Sequence, residues 1–176
     1  PHSATQTVNE RVPFSADSAY LYIQRQVDFG ARVPGTEAHA ECRDWMVEQL
    51  TLWGLRVEEQ QGVMPDYQGN MQPVRNIVAH IEGTDKGQKA VLLCAHWDCR
   101  PWCDEEEDYA DRFEPVPGAN DGASGVGVLM EIARQLQTLR TTAIFPSVDI
   151  VLFDCEDMGT PTHYTGTERE NTWCLG

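Results

Sequence analysis

The sequence predicts an α/β fold with a mixed, largely parallel central sheet flanked by helices. Two runs, Ala90-Val91-Leu92-Leu93-Cys94-Ala95 and Val148 to Phe153, are apolar almost throughout, as in strands covered on both faces. Between them, about 123–140 carries Val126, Leu129, Ile132, Ala133 and Leu136 at helical spacing. Two more helical patterns precede the first run, so helices alternate with buried strands.

Taken in order, residues 1–14 are polar, contain two prolines and read as an irregular arm. Ser15 caps a helix over about 16–28, with Ala19, Tyr20, Ile23 and Val27 on one stripe. Gly30 ends it, and Pro34-Gly35 makes a turn. Thr36 caps a second helix to about Trp53, whose apolar side carries Ala40, Trp45, Met46 and Leu50; Gly54 stops it. From Leu55 the period changes to two: Leu55, Val57 and Glu59 alternate with Arg56, Glu58 and Gln60, a half-exposed strand. Val74 to Ile81 alternates again, and a turn cluster over 83–87 leads into the first buried run. The second run is interrupted only by Asp149, and Asp121 and Ser124 stand at the start of the helix between the two. One domain from residue 15 to 176 accounts for the pattern, without repeats or low-complexity segments.

Composition narrows the function classes. A chain of 176 residues with 41% hydrophobic content can bury a real core. It has no apolar run of the roughly 20 residues that a membrane-crossing helix requires. A formal charge of −15 argues against nucleic acid, whose phosphates such a surface repels. The negative field suits cationic ligands such as the free amino terminus of a peptide, and it equally serves solubility. None of the six cysteines forms a Cys-x-x-Cys pair, which argues against a zinc knuckle or a thioredoxin-type motif. Cys94 and Cys155 lie in strand-like runs and read as small buried thiols. Cys99 and Cys103 flank a Trp-Pro loop and either pair or stay free.

Ligands of open α/β sheets gather beyond the carboxyl ends of the strands. His96 follows the first buried run, Glu156 and Asp157 follow the second, and Asp121 opens the intervening helix, so all can converge. An imidazole and several carboxylates are donors that zinc accepts. Asp98, two residues after His96, can hold the second ring nitrogen of that imidazole. Asp121 lies in the small-residue loop Asn120-Asp121-Gly122-Ala123-Ser124-Gly125, and a plain helix cap would also explain it. That loop lacks the Lys-Ser/Thr of a phosphate loop. Of the adjacent pair Glu156-Asp157, one carboxylate can bind metal while the other stays free to carry protons. Trp97, Trp102 and Trp173 either wall a small substrate pocket or pack the sheet edge. The acidic run over 104–108 reads as a solvated loop ahead of a calcium or amine site. His2, His39, His80 and His163 lack an acidic pattern and read as structural or surface residues.

The series His96-x-Asp98, Asp121, then Asp154-x-Glu156-Asp157 resembles the zinc aminopeptidase superfamily, and within it the bacterial glutaminyl-peptide cyclotransferases, or glutaminyl cyclases. Phe29-Gly30-Ala31-Arg32-Val33-Pro34-Gly35-Thr36-Glu37-Ala38-His39, Ala95-His96-Trp97-Asp98-Cys99-Arg100-Pro101-Trp102 and Gly118-Ala119-Asn120-Asp121-Gly122 are also similar to that family. The resemblance implies a zinc-aminopeptidase-like fold over 15–176, with Asp121 and Asp157 as zinc ligands and Glu156 as acid and base. His96 corresponds to a ligand of the second metal in two-zinc aminopeptidases. One zinc is expected, or two if the chain is an aminopeptidase. Aminopeptidases of the family commonly carry Glu-Glu where this chain has Glu156-Asp157, so the shorter Asp leans toward the cyclases.

The implied reaction converts the N-terminal glutamine of peptides and proteins to pyroglutamate with release of ammonia. The alternatives are a zinc aminopeptidase removing N-terminal residues and a non-catalytic binding module on the same fold. The resemblance also implies a periplasmic or extracellular place. The family's remaining zinc-binding histidine lies well downstream of the Glu-Asp pair. The chain is therefore expected to be the N-terminal part of the domain, incomplete at its C-terminus, with a further segment or another chain completing the site.

Overall fold

The computed structural model describes residues 14–167 and 169–176. The expected irregular arm over 1–14 lies outside the described residues except for Phe14, and so does His2. Helices α1 (Ala16–Asp28), α2 (Glu37–Leu52) and α3 (Ala123–Leu139) accompany strands β1 (Arg56–Pro65), β2 (Met71–Ile81), β3 (Val91–His96) and β4 (Val148–Phe153).

The first two helices begin where their local chemistry dictates. Ser15 Oγ accepts from the Ser18 backbone N–H at 3.1 Å, and Thr36 Oγ1 accepts from that of His39 at 3.3 Å. Each cap satisfies an N–H that a first helical turn leaves unpaired. The fully buried Glu131 of α3 accepts the Ser15 N–H at 3.1 Å while paired with Arg134 at 2.8 Å. That bond ties the start of α1 to the middle of α3, and α3 in turn packs on β3.

The strands are ordered β1-β2-β4-β3, with β1–β2 and β2–β4 antiparallel and β3–β4 parallel. The sheet is mixed, as expected, but its largely parallel character is corrected: among the described strands only β3–β4 is parallel. The turn between β1 and β2, closed by the Asp66 N–H on the Asn70 carbonyl at 2.9 Å, is too short for a crossover and forces antiparallel pairing. The connection from β3 through α3 to β4 is long enough for a parallel pair.

The position of β3 is a second correction. Its unbroken apolar run suggested a strand covered on both faces, yet it lies at the edge of the described sheet. Ile77, Ala79 and Ile81 of β2 register with Leu152, Ile150 and Val148 of β4 and form the core with Met46, Leu50, Val126 and Met130 from the helices. Leu93 and Ala95 share that covered face. Leu92 and Cys94 alternate to the opposite face and are exposed, Leu92 by 62%, so Cys94 is not the buried thiol expected. The interior strands are β2 and β4.

Candidate metal centre

Because β3 and β4 run parallel, their carboxyl ends share one edge of the sheet. His96 is the last residue of β3, and the Trp97 N–H reaches the Phe153 carbonyl at 2.9 Å, carrying the pairing one step further. Asp154 to Asp157 leave β4 there, and the loop into α3 delivers Asp121 to the same edge.

Asp121 does not cap α3. The cap position belongs to Gly122, and no side chain bonds there. Asp121 Oδ1 instead meets His96 Nε2 at 2.9 Å. Gly122 permits this approach: its φ is +86°, and a Cβ there would lie 2.8 Å from the Asp98 carbonyl oxygen and 3.3 Å from His96 Cε1.

Asp98 stands beside the second ring nitrogen of His96, but as an ion pair without a hydrogen bond. It lies 3.4 Å from His96 Nδ1, an ion-pair contact too poorly aligned for a hydrogen bond, and Nδ1 is buried without a hydrogen-bond partner. The two oxygens of Asp98 accept elsewhere, from the backbone N–H groups of Glu156 at 3.0 Å and Asp157 at 3.1 Å. Its main bonds therefore fix the turn that carries the acidic pair. Glu156 Oε2 stands 3.9 Å from His96 Nδ1, and Glu156 Oε1 accepts the Cys174 thiol at 3.2 Å. Asp157 is buried, with Oδ1 3.5 Å from Arg100 Nη1. Arg100 is held by Asp104 through two bonds of 2.7 and 2.6 Å.

Burial pushes Asp157 up to about 6, with Arg100 pulling down and Asp121, Asp98 and Glu156 adding repulsion. His96 is raised to about 9, chiefly by Asp98 and against its own burial, with Asp121 and Glu156 contributing. Four carboxylates thus crowd one imidazole and one guanidinium, an arrangement whose chemistry suits a divalent cation. Among the described residues, no group of three His, Cys, Asp or Glu side chains forms a ready metal cage. Asp121 and Asp157 fit zinc as donor types, and they do not complete its coordination.

Trp97 is corrected as a pocket wall: it is fully buried, stacked on His39 at 4.1 Å. His39 is structural as expected, but it lies directly behind the site, with Nε2 2.8 Å from the buried Asp154. His163 packs on Phe113 at 4.7 Å and does not join the cluster. Trp102 lines a separate cavity of about 450 Å³ with Arg100, Asp104 and Trp173. Glu105 to Asp108 are exposed, the solvated loop expected, whereas Asp104 is buried on Arg100. Cys99 and Cys103 are unpaired. The sequence reading missed Arg100, Asp104 and Cys174 as neighbours of the acidic pair. Only the proximity of Arg100 to the His96 motif hinted at the first, and nothing hinted at the last.

Residues 76–172 match the family model of peptidase family M28. Among solved structures, the chain is similar to the Tannerella forsythia glutaminyl cyclase, at 47% identity and a TM-score of 0.83, covering 93% of this chain and 54% of that one. It is similar also to a Zn-dependent exopeptidase from Parabacteroides distasonis, at 43% identity and a TM-score of 0.85, covering 94% and 55%. A probable zinc metalloprotease of Leptosphaeria maculans is 28% identical over 164 residues, 84% of this chain and 36% of the relative. The chain spans about half the length of the solved structures and about a third of the fungal relative.

Proposed function

The chain belongs to peptidase family M28, and we propose that it provides the acidic half of a zinc site that cyclises N-terminal glutamine to pyroglutamate with release of ammonia. The observation that carries this reading is the division of labour between adjacent carboxylates. Asp157 is buried against Arg100, while Glu156 keeps one oxygen toward His96 and the other toward Cys174. Asp121 and Asp157 would hold the zinc. At least one more protein ligand is needed, and the reading takes it from a histidine of a further segment or another chain. When bound, zinc would polarise the side-chain carbonyl of the substrate glutamine.

The protein's own residues would do the rest. Glu156 takes a proton from the attacking α-amine and returns one to the departing ammonia. Asp98 fixes the turn that aims Glu156, through the bonds at 3.0 and 3.1 Å. The reaction is intramolecular, so holding the amine over the carbonyl supplies much of the acceleration. The Tannerella forsythia glutaminyl cyclase supports this choice of reaction, and so does Asp157 in place of a second glutamate.

The second reading is a zinc aminopeptidase, in which Glu156 activates water and His96 serves a second metal. The 2.9 Å contact of His96 with Asp121 favours it, as does the similarity to a Zn-dependent exopeptidase. No helix of the described residues is long and apolar enough to cross a membrane. The family resemblance argues for work in the periplasm or outside the cell, on the N-termini of peptides and proteins. The test is Glu156→Gln in the intact, zinc-loaded protein. It should keep its zinc and lose ammonia release from Gln-initiated peptides; unchanged release would remove Glu156 from the mechanism.

A further inference from the structure

Beside Glu156 lies a cavity of about 300 Å³ lined by Ala95, His96, Phe153, Glu156, Cys174 and Gly176. Cys174 sits there through its backbone as well as its side chain. Its N–H donates to the Glu156 carbonyl at 2.9 Å, and the next N–H, of Leu175, donates to the Cys155 carbonyl at 3.0 Å. The Cys174 backbone takes a φ of 52°, a left-handed conformation that a cysteine rarely adopts without support from its surroundings. In this pose Sγ reaches Glu156 Oε1 at 3.2 Å, leaving Oε2 on the side of His96.

We propose that Cys174 is a positioning residue for Glu156, its thiol holding one carboxylate oxygen so that the other faces the reacting amine. The inference rests on the reading of Glu156 as the proton carrier. A carboxylate on two flexible methylenes samples several rotamers, and one bond to a charged acceptor is enough to favour one of them. The geometry uses Cys174 as a hydrogen-bond donor, with no role as nucleophile or metal ligand. Among the described residues Cys174 is exposed, so its side chain is not part of the packed core.

The test compares Cys174→Ala and Cys174→Ser in the intact, zinc-loaded protein, using both Gln- and Leu-initiated peptides. Whichever turnover depends on Glu156 is the one scored, so a wild type that processes only the Leu peptide defeats the cyclase reading and still tests Cys174. Cys174→Ala should lower kcat about tenfold, the worth of one hydrogen bond to a charged group. KM, zinc content and thermal midpoint should not change. Cys174→Ser, which keeps a donor, should recover most of the loss. In a Glu156→Gln background, adding Cys174→Ala should cost nothing more, since the two act as one unit. Wild-type kcat in Cys174→Ala, a serine variant as slow as alanine, or additive losses in the double variant would each overturn the proposal. A wild type inactive on both peptides would overturn it together with the catalytic role of Glu156.

Discussion

His96 Nε2 and Asp121 Oδ1 meet at 2.9 Å, joining the last residue of β3 to the loop that opens α3. Asp98, then Asp121 and Glu156, keep the imidazole protonated up to about pH 9. In the metal-free protein the charged His96 is a counter-ion for Asp121, and a second zinc there would have to displace its proton. The one-zinc reading therefore predicts that His96→Gln retains one zinc per chain, as the wild type does. Metal analysis of the intact protein checks it; a fall from two zincs to one on substitution would favour the aminopeptidase reading.

Asp157 gives a prediction of opposite signs. Its folded value of about 6 lies above the usual carboxylate value of about 3.9, so the metal-free fold is penalised by its ionised form. The penalty is complete above about pH 6 and vanishes as pH falls below the unfolded value. Asp157→Asn should thus raise the thermal midpoint of metal-free protein at pH 7.5, with little effect near pH 4. The same change should weaken zinc binding by on the order of a hundredfold or more. A lowered midpoint at pH 7.5 would contradict the burial account.

Zinc affinity should follow the same group. Below about pH 6 the proton on Asp157 competes with the metal, so affinity should rise at least about tenfold per pH unit there, the further histidine ligand adding to the slope up to its own ordinary value of about 6.5, and flatten above. Competition against a chelator of known pH dependence measures this. A continued rise toward pH 9 would show that His96 also loses its proton to a metal.

Asp98→Asn should damage the acidic turn. Asp98 is fully buried and accepts two N–H groups, from Glu156 and Asp157, and an amide offers only one acceptor oxygen. One buried N–H would be left facing another donor, a loss of about 1–3 kcal/mol in a denaturant titration. Turnover should fall with it, because Glu156 is aimed by that turn.

Gly122→Ala probes the approach of the Asp121 loop. The positive φ and the 2.8 Å clash with the Asp98 carbonyl oxygen leave no room for a methyl group. Strain of about 1–3 kcal/mol is expected, read as a lower unfolding midpoint and weaker zinc binding. An unperturbed variant would mean that the loop can shift without cost.

Much of this frame is legible in the residues. Ser15 and Thr36 mark the starts of α1 and α2, and the apolar run marks β4, because each signal is local. The convergence of His96, Asp121, Glu156 and Asp157 is legible too, since parallel strands bring their carboxyl ends to one edge. The edge position of β3 is not, because an apolar run records hydrophobicity and says nothing about which faces are covered. Nor is the choice of Asp98 between an imidazole two residues away and N–H groups on the next strand's loop. That choice depends on side-chain direction, and so does the meeting of Cys174 with Glu156, 18 positions apart.

The most direct measurement gives the intact, zinc-loaded protein Gln- and Leu-initiated peptides side by side and follows product masses. The account predicts loss of ammonia from the Gln peptide, leaving an intact pyroglutamyl peptide, and no change in the Leu peptide. Release of the first residue from either peptide would contradict it.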